Sequence, residues 1–181
     1  MPTGPLGALH FTAALAALAA GAVVLRRSKG GRAHRRWGYA YVGAMLTLNA
    51  TAFGLYNLFG HWGPFHWLAL ASLAGVLGGV LGPLLARRRG WTRDWWLPGH
   101  YRAMGWSYIG LVAAGVAETG TRLPRAVPAL AERLGATAAG LPRPTFWAVV
   151  VTCSAAVIAG GAAMLYGGQR RALAPLLRAG R

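Results

Sequence analysis

The sequence predicts an all-α integral membrane protein, an up-down four-helix transmembrane bundle plus a fifth transmembrane helix, forming a single transmembrane domain over residues 1–181. Three observations carry this. Hydrophobic residues make up 55% of the 181 positions, with mean hydropathy +0.40, and they fall in blocks of about 20, the length an α-helix needs to cross ~30 Å of hydrocarbon. The 19 Lys and Arg, set against only 3 acids, sit almost entirely between those blocks, where lipid headgroups lie. Trp37, Trp62, Trp67, Trp91, Trp95, Trp96 and Trp147 fall near the block ends, as an interfacial aromatic belt requires.

The formal charge of +16 therefore points to anionic lipids at a cytoplasmic face. It does not point to nucleic acid, which needs a folded basic domain outside the lipid that little chain remains to build. The one cysteine, Cys153, lies in an apolar run and allows neither an intramolecular disulfide nor a Cys-rich metal site.

Taken in order, residues 6–25 carry no charge and form the first span, with the positive charge following the run rather than preceding it as in a signal peptide. Arg26, Arg27, Lys29, Arg32, Arg35 and Arg36 then make an acid-free loop that the positive-inside rule keeps in the cytoplasm. Residues 37–59 form the second span. The connection Gly60-His61-Trp62-Gly63-Pro64 lacks Lys and Arg and belongs outside, with Pro64 suited to a first helical position. Residues 65–86 form the third span. Its rows of small residues, Ala71, Gly75 and Gly79 on one side and Gly78 and Gly82 on another, let helix backbones approach closely in lipid.

Arg87, Arg88, Arg89 and Arg93 return the chain to the cytoplasmic side, and residues 100–118 form a shorter fourth span. Thr119 to Pro144 reads as a longer external loop with a short interfacial helix after Pro128. Residues 145–166 form the fifth span, and residues 167–181 make a basic cytoplasmic tail. The expected location is a bacterial cytoplasmic membrane, multi-pass, with the N-terminus outside and the C-terminus in the cytoplasm.

The histidines carry the chemistry. His10 and His66 belong to the outer ends of the first and third spans, and His34 and His100 to the inner ends of the second and fourth. In an up-down bundle the first and third helices are diagonal, as are the second and fourth, so each couple would face across the centre. Two such tiers can hold haem b through axial imidazoles, with Gly38, Ala13, Ala14 and Ala69 one turn away leaving space and Met104 a further soft ligand. This makes His10, His66, His34 and His100 candidate cofactor ligands in a protein that moves electrons to a quinone or other redox partner.

Two other classes stay open. His10, His66 and Glu118 could form an outer site for a divalent metal ion such as Zn or Fe, or for proton exchange, in a non-redox transporter. A scaffold or assembly subunit, joined to an oligomer or larger membrane complex through its small-residue faces, would need no chemistry of its own. No nucleophile-base set and no phosphate-binding Gly-rich loop accompanies them.

His10, Lys29-Gly30, His34-Arg35-Arg36 with Gly38 and Tyr41, Asn49, Phe65-His66, Glu118 with Arg122, and above all His100-Tyr101, Met104 and Ser107-Tyr108 carry a resemblance. Over Leu6 to Pro124 the chain resembles the bacterial membrane proteins of the domain of unknown function 2306 family, with His-Tyr-x-x-Met-x-x-Ser-Tyr as the most specific stretch. The resemblance implies a small polytopic membrane protein with the same histidines, and no particular reaction.

Overall fold

The computed structural model describes residues 4–55, 60–133 and 143–178. Among them the chain is all helical: α1 (Gly4–Arg26), α2 (Arg32–Ala52), α3 (Pro64–Arg89), α4 (Arg93–Ala126), α5 (Pro128–Arg133) and α6 (Arg143–Arg178). Two compact units divide it, one formed by Met1–Tyr108 and Leu165–Arg181, the other by Ile109–Met164.

Three helices have the length and hydropathy to cross a membrane, over Gly4–Arg26, Phe65–Arg89 and Trp147–Arg178. Their apolar side chains largely point outward; Leu9, Phe11, Leu15, Leu68, Leu81 and Val151 are all exposed. In water such a surface would be a liability, whereas in lipid it is the expected exterior. The helices predicted for the second and fourth spans are less apolar. The reason lies in their inward stripes: α2 buries Tyr41, Met45 and Asn49, and α4 buries Leu97 and Ser107.

Several element ends differ from the sequence expectation. α2 stops at Ala52, where Gly54 and Leu55 donate to the Thr51 and Ala52 carbonyls in a tightened last turn; residues 56–59 of the predicted span lie outside the described residues. α4 and α6 both extend well beyond the apolar blocks, α4 to Ala126 and α6 to Arg178. The expected external loop is accordingly helical as far as Ala126, and a short helix does follow Pro128.

Local chemistry explains the connections. Lys29 Nζ donates to the carbonyls of Val24, Leu25 and Arg27, closing the end of α1, and Gly30 turns the chain at φ 82°. Pro64 opens α3 as expected. α3 ends on Gly90 at φ 64°, with Trp91 N–H returning to the Ala86 carbonyl in a Schellman closure.

In the first unit α1 packs on α2 and α2 on α3. α3 meets α4 through Gly75, Gly79 and Gly82, which face Ala103, Met104 and the Trp96 carbonyl; Gly78 faces open space, so the small-residue face combines members of both predicted rows. α1 meets α4 where Tyr108 lies across Gly21 and donates to the Leu18 carbonyl at 3.2 Å. The last part of α6 runs beside α4: Tyr101 donates to the Leu165 carbonyl, Trp106 to the Tyr166 hydroxyl, and Arg93 to the Leu176 carbonyl. Leu176 also lies next to Gly30, so the α1–α2 turn, the start of α4 and the end of α6 share one strongly basic end.

Polar pairs tie the helices together inside. Ser107 donates to the Met104 carbonyl at 2.9 Å, so its single proton is used and Tyr41 must be the donor in the 2.8 Å contact between their hydroxyls. Asn49 donates to the Met45 carbonyl and to Ser72. The Tyr41–Ser107 order gives an asymmetric expectation. Ser107→Ala strands a buried donor and should cost about 1–3 kcal/mol, while Tyr41→Phe leaves Ser107 satisfied and should cost below about 1 kcal/mol, apart from any packing change. Unfolding titrations of the two variants in detergent compare them; equal losses would contradict the assigned direction.

Candidate functional site

At the basic end of the first unit, His34 on α2 and His100 on α4 come together with ring centroids 6.4 Å apart and planes at 81°. Each ring is placed by its own backbone. His34 is the third residue of α2 after the N-cap Gly31. His66 occupies the same position in α3 after the N-cap Gly63. The two use it differently.

His66 turns back on its own helix. The Gly63 N–H donates to its Nδ1 at 3.0 Å while the His66 N–H donates to the Gly63 carbonyl at 3.0 Å, a reciprocal cap in which imidazole replaces the usual Glu or Gln. Trp62 stacks on the ring at 4.7 Å and Phe53 stacks on Trp62 at 6.0 Å. With Nδ1 accepting, the proton of the neutral ring is on Nε2. His66 is thus committed to ending a helix.

His34 forgoes that local bond. Its Nδ1 is buried and has no hydrogen-bond partner among the described residues, and the ring lies against His100. Its pKa is lowered, first by burial and then by the positive charges of Lys29, His100 and Arg35. An imidazole in such surroundings stays neutral and keeps a lone pair.

His100 is held from the other side. Its Nδ1 lies 2.7 Å from the Gly79 carbonyl of α3. A carbonyl only accepts, so Nδ1 carries the proton and, in the neutral ring, Nε2 carries the lone pair. Trp96, one turn earlier, meets the ring edge-on at 6.1 Å.

The remaining candidates fall elsewhere. His10 Nδ1 lies 3.0 Å from Thr51 Oγ1, whose own proton is directed to the Thr47 or Leu48 carbonyl, so the histidine donates and joins α1 to α2. Glu118 is half-buried on α4. Among the described residues no group of three or more His, Cys, Asp or Glu could hold a metal ion. Met104 packs its sulfur against Gly79. Cys153 is exposed on α6.

The His-Tyr-x-x-Met-x-x-Ser-Tyr stretch now has a structural meaning. His100, Met104 and Ser107 line the α4 face toward α2 and α3, Tyr101 holds α6, and Tyr108 holds α1. A family model described as "Predicted membrane protein (DUF2306)" matches residues 7–134, which contain all of these groups. The chain belongs to the domain of unknown function 2306 family. No curated protein and no solved structure matches it. Membership in domain of unknown function 2306 agrees with the apolar exterior and with the three helices long and apolar enough to cross a membrane.

Sequence reasoning missed three groups that build the site: the Gly79 carbonyl, the capping role of His66 and the Tyr41–Ser107 pair. Only the second had a local signal, the Gly-Pro-x-His order at residues 63–66, which places a side-chain acceptor at the third helical position.

The lowered pKa of His34 predicts acid sensitivity. Below the ordinary histidine value of about 6.5 the unfolded chain takes up a proton that the folded protein resists, so stability is lost as pH falls. Melting curves between pH 7.5 and roughly 5 should show a declining midpoint, and His34→Gln should flatten part of the decline. An unchanged slope in that variant would contradict the buried neutral ring.

Proposed function

We propose that the chain is a b-type haem-binding electron-transfer protein of the membrane, with His34 and His100 as the axial ligands. The single observation that carries this is the imidazole pair itself: two rings from different helices, each with a nitrogen lone pair and neither used as a local cap. The two rings, 6.4 Å apart at their centroids and brought together from different helices, could hold one metal-centred group between them. Gly38, one turn from His34, has open space where a side chain would begin, which supports room for a flat group beside the pair.

When bound, haem supplies a one-electron couple. The chain's own residues do the rest. The Gly79 carbonyl fixes the His100 tautomer and, by drawing on the Nδ1 proton, makes Nε2 a stronger ligand. Lys29 and Arg35 beside His34 disfavour added positive charge there and would favour the reduced state of an iron that the pair held.

The same reading includes five spans arranged as an up-down bundle of four helices plus a fifth, N-terminus outside and C-terminus in the cytoplasm. It is supported by the packing of α1 to α4 around the Tyr41–Ser107 pair and by the gathering of basic segments at one end. His10 and His66 would then serve as helix ties at the other end.

A dithionite-reduced minus oxidised spectrum of the purified protein in detergent, with and without added hemin, tests the assignment. The expected result is a Soret and α-band set that is lost in both His34→Ala and His100→Ala and kept in His10→Ala. No band in the wild type after hemin addition would reject it.

A further inference from the structure

An α-helical carbonyl normally accepts from the N–H four residues later. For Gly79 that residue is Pro83, inside α3, which has no N–H to give. The Gly79 carbonyl therefore lacks its helical partner, inside a helix long and apolar enough to cross a membrane. The proline ring also crowds the carbonyl four residues back and pushes it off the helix axis. His100 Nδ1 lies 2.7 Å from this same oxygen.

Gly79 makes the approach close enough. A Cβ there would overlap the Met104 side chain and stand 3.5 Å from Ala103 Cβ, so glycine leaves α4 free to lie close enough for a ring on α4 to reach the α3 backbone. Two residues of α3 thus act together: one opens a carbonyl, the other admits the donor.

We propose that Pro83 is a positioning residue for His100: by withholding an N–H from Gly79 it commits His100 to the Nδ1–H tautomer and keeps Nε2 as the lone-pair nitrogen. This deepens the reading of His34 and His100 as a ligand pair, but the tautomer it sets is a property of the haem-free chain. Pro83 touches no ligand and acts through two intervening groups. The feature that elsewhere would simply kink a helix here fixes the donor state of a side chain on its neighbour.

The test is ¹⁵N NMR of histidine-labelled, haem-free full-length protein in detergent at mildly alkaline pH, with the His100 signal assigned by its loss in His100→Gln. Wild type is expected to give Nδ1–H, Nε2-unprotonated shifts for His100. Pro83→Ala returns an N–H to Gly79 and is expected to shift His100 toward the Nε2–H form that free histidine prefers; Pro83→Leu, equally able to donate, should do the same if the alanine variant folds poorly. An unchanged His100 tautomer in both variants, or an Nε2–H ring in the wild type, would overturn the proposal. In a hemin titration Pro83→Ala should weaken binding roughly 10- to 100-fold, as loss of an outer-shell partner does. Because the tautomer is read without haem, failure of the wild type to bind hemin would reject the ligand assignment and leave the Pro83 result to stand on its own.

Discussion

In hydrocarbon a polar group cannot turn to water, and this one constraint governs the interior of the protein. Each polar side chain on the inward stripes of α2 and α4 is answered by another helix or by its own backbone: Tyr41 by Ser107, Asn49 by Ser72 and the Met45 carbonyl, Tyr108 by Leu18, His100 by Gly79. The pairings are few and widely spaced along the helices. Between them the contact surface is made of small residues, which supply closeness without polarity. Polar pairs set the register and glycines set the distance.

Within that frame His34 is the exception that directs attention to function. Helix starts with a glycine N-cap followed by histidine at the third position occur at α2 and α3, and in α3 the ring is spent on the cap. In α2 the same side chain leaves its Nδ1 without a partner and lies beside a second imidazole. Leaving a buried nitrogen unsatisfied costs on the order of 1–3 kcal/mol, so this position is kept at some expense to stability. Burial first, and then the neighbouring cations, lower the His34 pKa and favour the neutral ring.

Much of the architecture was legible because lipid imposes a simple code. Apolar blocks bounded by arginines marked α1, α3 and α6, and Pro64 marked the first turn of α3. His34 and His100 lie with ring centroids 6.4 Å apart, and the expectation that they face each other rests on assuming an up-down bundle. Helix ends were less legible: Arg93 to Pro98 and Gly167 to Arg178 look like loop and tail by hydropathy, and they carry Pro98, Gly167, Gly168 and Pro175, yet both stretches are helical. The division of labour between His34 and His66 was illegible by composition, since it depends on which way a ring turns. The Gly79 carbonyl escaped entirely, because backbone groups have no letter in a sequence, although the Pro83 that exposes this one does.

Gly21 has a wider consequence. Tyr108 lies where a Cβ at this position would go, and Tyr41 Cδ2 would stand 3.2 Å from that carbon. The spacing of three helices, α1, α2 and α4, therefore rests on one hydrogen atom in place of a methyl group. Evolution can enlarge most lipid-facing positions of α1 freely, but alanine at residue 21 would wedge both tyrosine rings at once and push α4 outward from its neighbours.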